Sequence, residues 1–396
     1  MSPNSIVKFC FSFCIVIIVI LSCKKKDPEP LEFPTPPTHE VQIESEWLYL
    51  NWYPSTDETQ STIESGLKWC FSYLGATLPT GSMKKALIWQ NDQKIRLNIL
   101  ELGFNEQAEL TLRRIVSTIK NNEDYQIKGG IDLGRLVVTI FNNSNHYYEI
   151  VNMPKTLDEF DGQQIYSTKK AGIEESLVSF ANRVLLFPEN LSSETKKFKS
   201  LEVEGSIRSE NVKIKEFEVF DFMPNGQPRF GIYDLEGKII NGADTKLTSA
   251  GKPAKCHWCH ESTVSRPFVS TTNVPGYYTI AQFDSLTEEA MKYVNESRSK
   301  LNSDLDFGNT SEHTQFDKIY IRFLEPSLKR LASEYAISEE EAFNRFKSLP
   351  THRSAEFPDM GELYSRKQID LLSAVELIPI SKNARDTELN EPNLLK

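Results

Sequence analysis

The chain has 396 residues, 39% of them hydrophobic, and a formal net charge of −10 at pH 7. That length supports two or three packed domains. Acidic and basic residues are interspersed without a basic stripe or arginine cluster, which argues against nucleic acid as a partner, and six cysteines in so long a chain do not make a disulfide framework.

Residues 1–23 read as an export signal. Lys8 is the lone charge before the apolar run Phe9 to Leu21, a run too short for a convincing membrane span. It ends in Ile20-Leu21-Ser22-Cys23, which resembles a bacterial lipobox. That resemblance implies acylation of Cys23 and attachment to the lipid bilayer, since several acyl chains hold firmly; the alternative is an uncleaved signal anchor. The following Lys24-Lys25-Lys26-Asp27 is similar to the start of Bacteroidetes-type lipoproteins and implies an outer-membrane site, facing the periplasm or the cell surface. Residues 24–42 carry Pro28, Pro30, Pro34, Pro36 and Pro37 and read as an extended tether. Once the signal is removed, Cys70, Cys256 and Cys259 are the cysteines of the folded body.

Residues 43–165 read as one α+β domain. After the aromatic-rich Trp47 to Tyr53, Ser61 and Glu64 form a capping box for a helix with Ile63, Leu67, Cys70, Phe71 and Leu74 on its apolar face. Ala86–Trp89 and Ile95–Leu100 predict a hairpin. Asn105 caps a second helix, and Arg135–Phe141 with His146–Val151 read as a strand pair. In residues 166–245, a helix over Ile173 to Leu186 leads into strands from Leu201 to Ile240. Asn225-Gly226 and Glu236-Gly237 supply the turns of a meander, read as a scaffold or docking sheet.

The densest chemistry in the chain is Lys255-Cys256-His257-Trp258-Cys259-His260-Glu261. Cys-x-x-Cys-His is the pattern that fixes a c-type haem: two thiols meet the two vinyl groups of one porphyrin, and the adjacent histidine ligates the iron. Thioethers would then form at Cys256 and Cys259, with His260 as proximal ligand. Three other chemistries use the same residues: a Cys256–Cys259 disulfide, a zinc half-site with His257 or His260, and a thiol redox pair.

Beyond the motif, residues 246–380 read as mainly helical, with capping boxes at Ser285/Glu288, Ser338/Glu341 and Ser365/Gln368, and residues 381–396 as a disordered tail. Cys-x-x-Cys-His, then the loop Phe357-Pro358-Asp359-Met360-Gly361, then a closing helix, resembles the order of parts in small soluble c-type cytochromes. The resemblance covers about residues 250–380. It implies one covalent haem c, a cytochrome c-like C-terminal region and Met360 as the distal iron ligand, with His352, His313, Met291 or an open position as alternatives. A thioether on the distal side suits electron transfer to a redox partner protein; an open position suits peroxide or small-gas chemistry. The expectation is therefore an α+β multidomain, exported, lipid-anchored haem protein that passes electrons. The alternatives are a non-haem interaction lipoprotein with a zinc or disulfide Cys-x-x-Cys site, and a haem peroxidase-like enzyme.

Overall fold

The computed structural model describes residues 47–174, 179–192, 196–209, 212–248, 251–264, 273–372 and 393–396. The export signal, Cys23 and the proline tether lie outside the described residues. Among the described residues no helix is long and apolar enough to cross a membrane.

Strand β1 (Trp47–Asn51) begins the first layer, and helices α1 (Gln60–Tyr73) and α2 (Ser82–Ala86) follow it. Strands β2 (Leu87–Asn91) and β3 (Lys94–Asn98) form the expected hairpin, and β3 also pairs antiparallel with β1. Helices α3 (Glu106–Lys120) and α4 (Glu123–Lys128) precede β4 (Ile131–Asp132), which adds parallel to β1 and gives the order β2-β3-β1-β4. Asn105 caps α3 as the sequence predicts, accepting from the Ala108 amide at 2.9 Å. The cap of α1 is instead Thr59, in a reciprocal box with Thr62. Glu64, free of that role, accepts from the Trp89 indole N–H at 2.8 Å.

The strand pair expected over 135–151 does not form. The chain there is helical: α5 (Leu133–Val137), a π-helical turn (Val138–Asn142) and α6 (Ser144–Ile150). Asp132 caps α5 through the Arg135 amide, and Asn143 caps α6 through the amides of Asn145 and His146. Val137, Ile140, Phe141, Tyr147 and Tyr148 are all buried. A helix covered on every side has no apolar stripe, so its β-branched run mimics a strand.

After α7 (Leu157–Asp161) come β5 (Ala171–Ile173), β6 (Asn182–Leu186), β7 (Phe198–Glu204), β8 (Lys213–Phe222) and β9 (Pro228–Tyr233). They form one antiparallel meander in sequential order. Its first two strands replace the helix expected over Ile173 to Leu186. The overriding contact is long-range: Arg183 stands directly opposite Glu202 on β7 and ion-pairs with it, a cross-strand pair invisible to local periodicity. The Asn225-Gly226 turn forms as predicted, with Gly226 at a φ of 79°. Asn225 also donates to the carbonyls of Ser72 and Ala76 at 2.7 and 2.8 Å, tying the meander to the end of α1.

Helices α8 (Pro253–His260), α9 (Ile280–Arg298), α10 (Thr310–Leu324), α11 (Leu328–Tyr335) and α12 (Glu339–Phe346) lead to β10 (Thr351–His352), β11 (Leu363–Tyr364) and α13 (Arg366–Leu372). Ser338 caps α12 as expected, whereas α9 starts earlier, at a Thr279/Gln282 box. The largest buried cluster joins Leu50, Leu67 and Ile115 to Val219 and Tyr233 of the meander and to Phe316 and Tyr320 of α10. Helix α10 lies close along α1 because Gly66 has no side chain: a Cβ there would sit 2.8 Å from the Gln315 carbonyl oxygen. The chain end, expected within a disordered tail, packs as well. Leu395 is buried, its carbonyl accepts from Arg114 at 2.6 Å, and the Leu394 amide donates to His146 Nε2 at 2.9 Å. The result is a mixed α+β structure in which segments far apart in sequence share one core.

Candidate functional site

The whole Cys-x-x-Cys-His motif sits on α8, two turns long, which opens on Pro253 at its first position and ends where Glu261 turns left-handed at a φ of 40°. Spacings of three and four residues place Cys256, Cys259 and His260 along one side of a helix. The intervening residues hold the other side down. His257 is fully buried, with Nε2 3.1 Å from the Tyr147 hydroxyl and its ring 4.2 Å from that of Tyr73. Trp258 packs edge-on against Tyr320 at 4.6 Å.

Across from this helix the meander and α9 leave an apolar cavity of about 100 Å³ that opens towards solvent. Leu185, Phe187, Phe198, Phe220, Phe230 and Phe283 make most of its wall, and Cys256 and His260 both line it. The His260 ring lies 5.6 Å from that of Phe220 and 5.3 Å from that of Phe230. Burial pushes this imidazole down to about 4, so it is neutral at physiological pH and able to ligate. Its Nδ1 is buried without a hydrogen-bond partner. Cys256 is half-buried, and desolvation followed by the Glu218 charge pushes its thiol well up. Cys259 is exposed and does not line the cavity; its thiol is raised too, by the burial it retains and then by Glu356 and Glu261. No disulfide joins the two. Both thiols are pushed up, the direction opposite to the lowered value that thiol exchange of the thioredoxin kind uses.

One charged group on the cavity wall was not legible in the sequence. Arg183 and Glu218 both line the cavity; Arg183 pairs with Glu202 and lies 3.3 Å from Glu218. Burial first, and the Glu218 charge second, push Glu216 up to about 8 and Glu202 well above the usual carboxylate range. A proton is therefore stored among these carboxyls at neutral pH. The available signal is Glu216 and Glu218 at two-residue spacing on one face of a long strand.

No protein-family model, curated protein or solved structure matches this chain. Its chemistry has to be argued from its own residues.

The distal-ligand candidates scatter. Met360 is half-buried on a 3₁₀ turn, Pro358–Met360, held beside α10 by the Asp359–Lys318 ion pair at 2.7 Å, and it does not line the cavity. His352 is exposed and bonds Glu325 at 3.0 Å. His313 is buried 3.3 Å from Asp317, against the rings of Trp69 and Tyr73. Met291 lies nearer: its sulfur accepts the Val264 amide at 3.1 Å, and Val264 and Thr287, one turn before Met291 on α9, both line the cavity. Among the described residues lining the cavity, His260 is the one histidine or methionine. His146 has a structural role, between the Thr139 carbonyl and the Leu394 amide. Cys70 is fully buried and its thiol is pushed up by burial, which fits packing rather than reactivity. No group of three or more His, Cys, Asp or Glu side chains among the described residues is placed to hold a metal ion, so the zinc half-site finds no further donors there.

Proposed function

We propose that this is an exported lipoprotein, tethered to the outer membrane through acylated Cys23, that carries one haem c bound through Cys256 and Cys259 and ligated by His260, and that passes electrons. The observation that carries the reading is that Cys256 and His260, one helical turn apart, line the same apolar cavity. A porphyrin needs an apolar slot beside its thiols and a neutral imidazole; Cys256, His260 and the phenyl wall supply these, and Cys259 stands at the outer side of the same helix. Haem supplies a one-electron iron centre when bound. The chain's own residues do the rest. Each thiol would add across a vinyl group, sulfur to one carbon and hydrogen to the other, so nothing leaves. His260 offers a lone pair because burial keeps it neutral. Phe187, Phe198, Phe220 and Phe230 exclude water, and Arg183 sets a positive charge on the wall, partly offset by Glu202 and Glu218. A cytochrome c-like C-terminal region belongs to the same proposal.

The absence of a second histidine or methionine among the described cavity-lining residues favours a second reading, in which the sixth iron position is open and the protein handles peroxide or a small gas. The deciding measurement for the haem is mass spectrometry of the peptide spanning Lys255–Glu261, after co-expression with cytochrome maturation machinery. A covalent haem adduct is expected. Free or disulfide-linked thiols would remove both haem readings, and stoichiometric zinc would establish the non-haem alternative. Replacing Cys23 with Ser should release the protein from the membrane fraction; unchanged fractionation, with no lipid label on the wild type, would remove the anchor.

A further inference from the structure

We propose that Tyr147 and His257 form a proton-coupled redox pair that delivers one electron to the cavity through Phe230. Both side chains are fully buried, and the Tyr147 hydroxyl lies 3.1 Å from His257 Nε2. The Phe230 amide donates to the same hydroxyl oxygen at 3.0 Å. In the tautomer that carries the imidazole hydrogen on Nδ1, the phenol donates to His257 Nε2. That Nδ1 is buried and unpartnered. The Phe230 ring stands 4.9 Å from His257 and 5.3 Å from His260, so one ring separates the pair from the histidine that faces the cavity. On the far side Tyr73 packs 4.2 Å from His257, and Trp69 follows at 5.7 Å, a reserve of oxidisable rings behind the first.

The chemistry of phenol makes the histidine necessary. Burial raises the Tyr147 phenol far above its ordinary range, so the phenolate is not available. A phenol that loses an electron becomes a strong acid and must release its proton in the same event. The step balances as follows: Tyr147 gives one electron to a one-electron oxidant in the cavity and its hydroxyl proton to His257 Nε2. The products are a neutral phenoxyl radical, an imidazolium and an oxidant reduced by one electron. The oxidant class is a one-electron oxidant held in the cavity; a haem bound there with an open sixth position would supply one on reaction with peroxide, so this role rests on the open-coordination reading given above.

The pair can be tested apart from the haem. The mature chain, as purified, is oxidised by a ruthenium(III) polypyridyl complex generated with a light flash, then frozen for electron paramagnetic resonance. Site-specific 3-fluorotyrosine at position 147 keeps the hydroxyl and the ring and marks the radical with a fluorine splitting. The expected result is that the bulk of the tyrosyl signal carries this splitting and rises more slowly in deuterated water. An unsplit signal, or one indifferent to deuterium, overturns the proposal. Adding hydrogen peroxide to the haem-loaded chain should give the same split signal. A split signal under the flash but none under peroxide would uphold the pair while removing the open-coordination reading.

Discussion

Cys256 and His260 lie on one side of α8, facing a single cavity, while His257 between them turns to the opposite side and meets Tyr147 at 3.1 Å. The two outer residues of the motif and its buried inner histidine thus divide into a cavity face and a core face. Cys259 sits outside the cavity lining and is exposed, so the two thiols are not equivalent. A chain with Cys259→Ala should keep haem covalently attached through Cys256, and the double change to Ala should leave haem that denaturant extracts. Haem staining after denaturing electrophoresis checks this. Loss of all stain in Cys259→Ala alone would count against Cys256 as the principal anchor.

The contact between α1 and α10 gives a prediction about the fold. A Cβ at Gly66 would meet the Gln315 carbonyl oxygen at 2.8 Å and the Ile319 side chain closer still. Backbone cannot yield as a side-chain tip can. Gly66→Ala should therefore cost about 1–3 kcal/mol of stability through overpacking, despite the better helix propensity of alanine. Denaturant unfolding with an unchanged midpoint would contradict the close approach.

Glu216 gives a pH prediction with a defined sign. Its carboxyl titrates at about 8 in the folded chain and at about 4.5 in its ordinary state. Between those values the folded state binds the extra proton, so this group's contribution to stability falls as pH rises, by about 1.4 kcal/mol per pH unit at most. His146 acts oppositely: burial lowers it from 6.5 to about 4, so its contribution is lost as pH falls through that window. In Glu216→Gln the alkaline loss should shrink to the part that Glu202 contributes, while the acid loss remains. Unfolding free energies of wild type and variant, measured from pH 4.5 to 8, should therefore diverge steadily with pH. Parallel curves would mean that Glu216 is ionised in the folded state.

How far the sequence revealed these features depends on the range of the interactions behind them. The haem-type motif is local and was legible in five residues, as were the caps of α3 and α12 at Asn105 and Ser338. The helical run α5–π–α6 was not, because burial on every side erases the periodicity that marks a helix. Strand β6 was hidden because Arg183 is buried through carboxylates on other strands, Glu202 on β7 and Glu218 on β8. The cavity itself is assembled from β5 to β9, α8 and α9, and no single stretch encodes it. The order of parts along the chain points to Met360 but carries no information about which face of α8 the loop approaches.

That choice of methionine yields the last prediction. Met360 lies on the turn beside Asp359 and Lys318, away from the cavity lining, whereas the Met291 sulfur touches the amide of Val264, a cavity-lining residue. If Met360 is the distal ligand, Met360→Ala should lower the midpoint potential of the haem and open it to carbon monoxide, because a thioether favours ferrous iron. Met291→Ala should then cost about 2 kcal/mol of stability, at the lower end for a half-buried methionine, with the haem spectrum preserved. The reverse pattern, in which Met291→Ala shifts potential and ligand access while Met360→Ala leaves both as in the wild type, would assign the sulfur to α9. If neither change moves the potential and the wild-type protein already binds carbon monoxide, the sixth position is open, and peroxide or gas chemistry takes the place of simple electron transfer. Redox titration and carbon monoxide difference spectra on the same three proteins separate these outcomes.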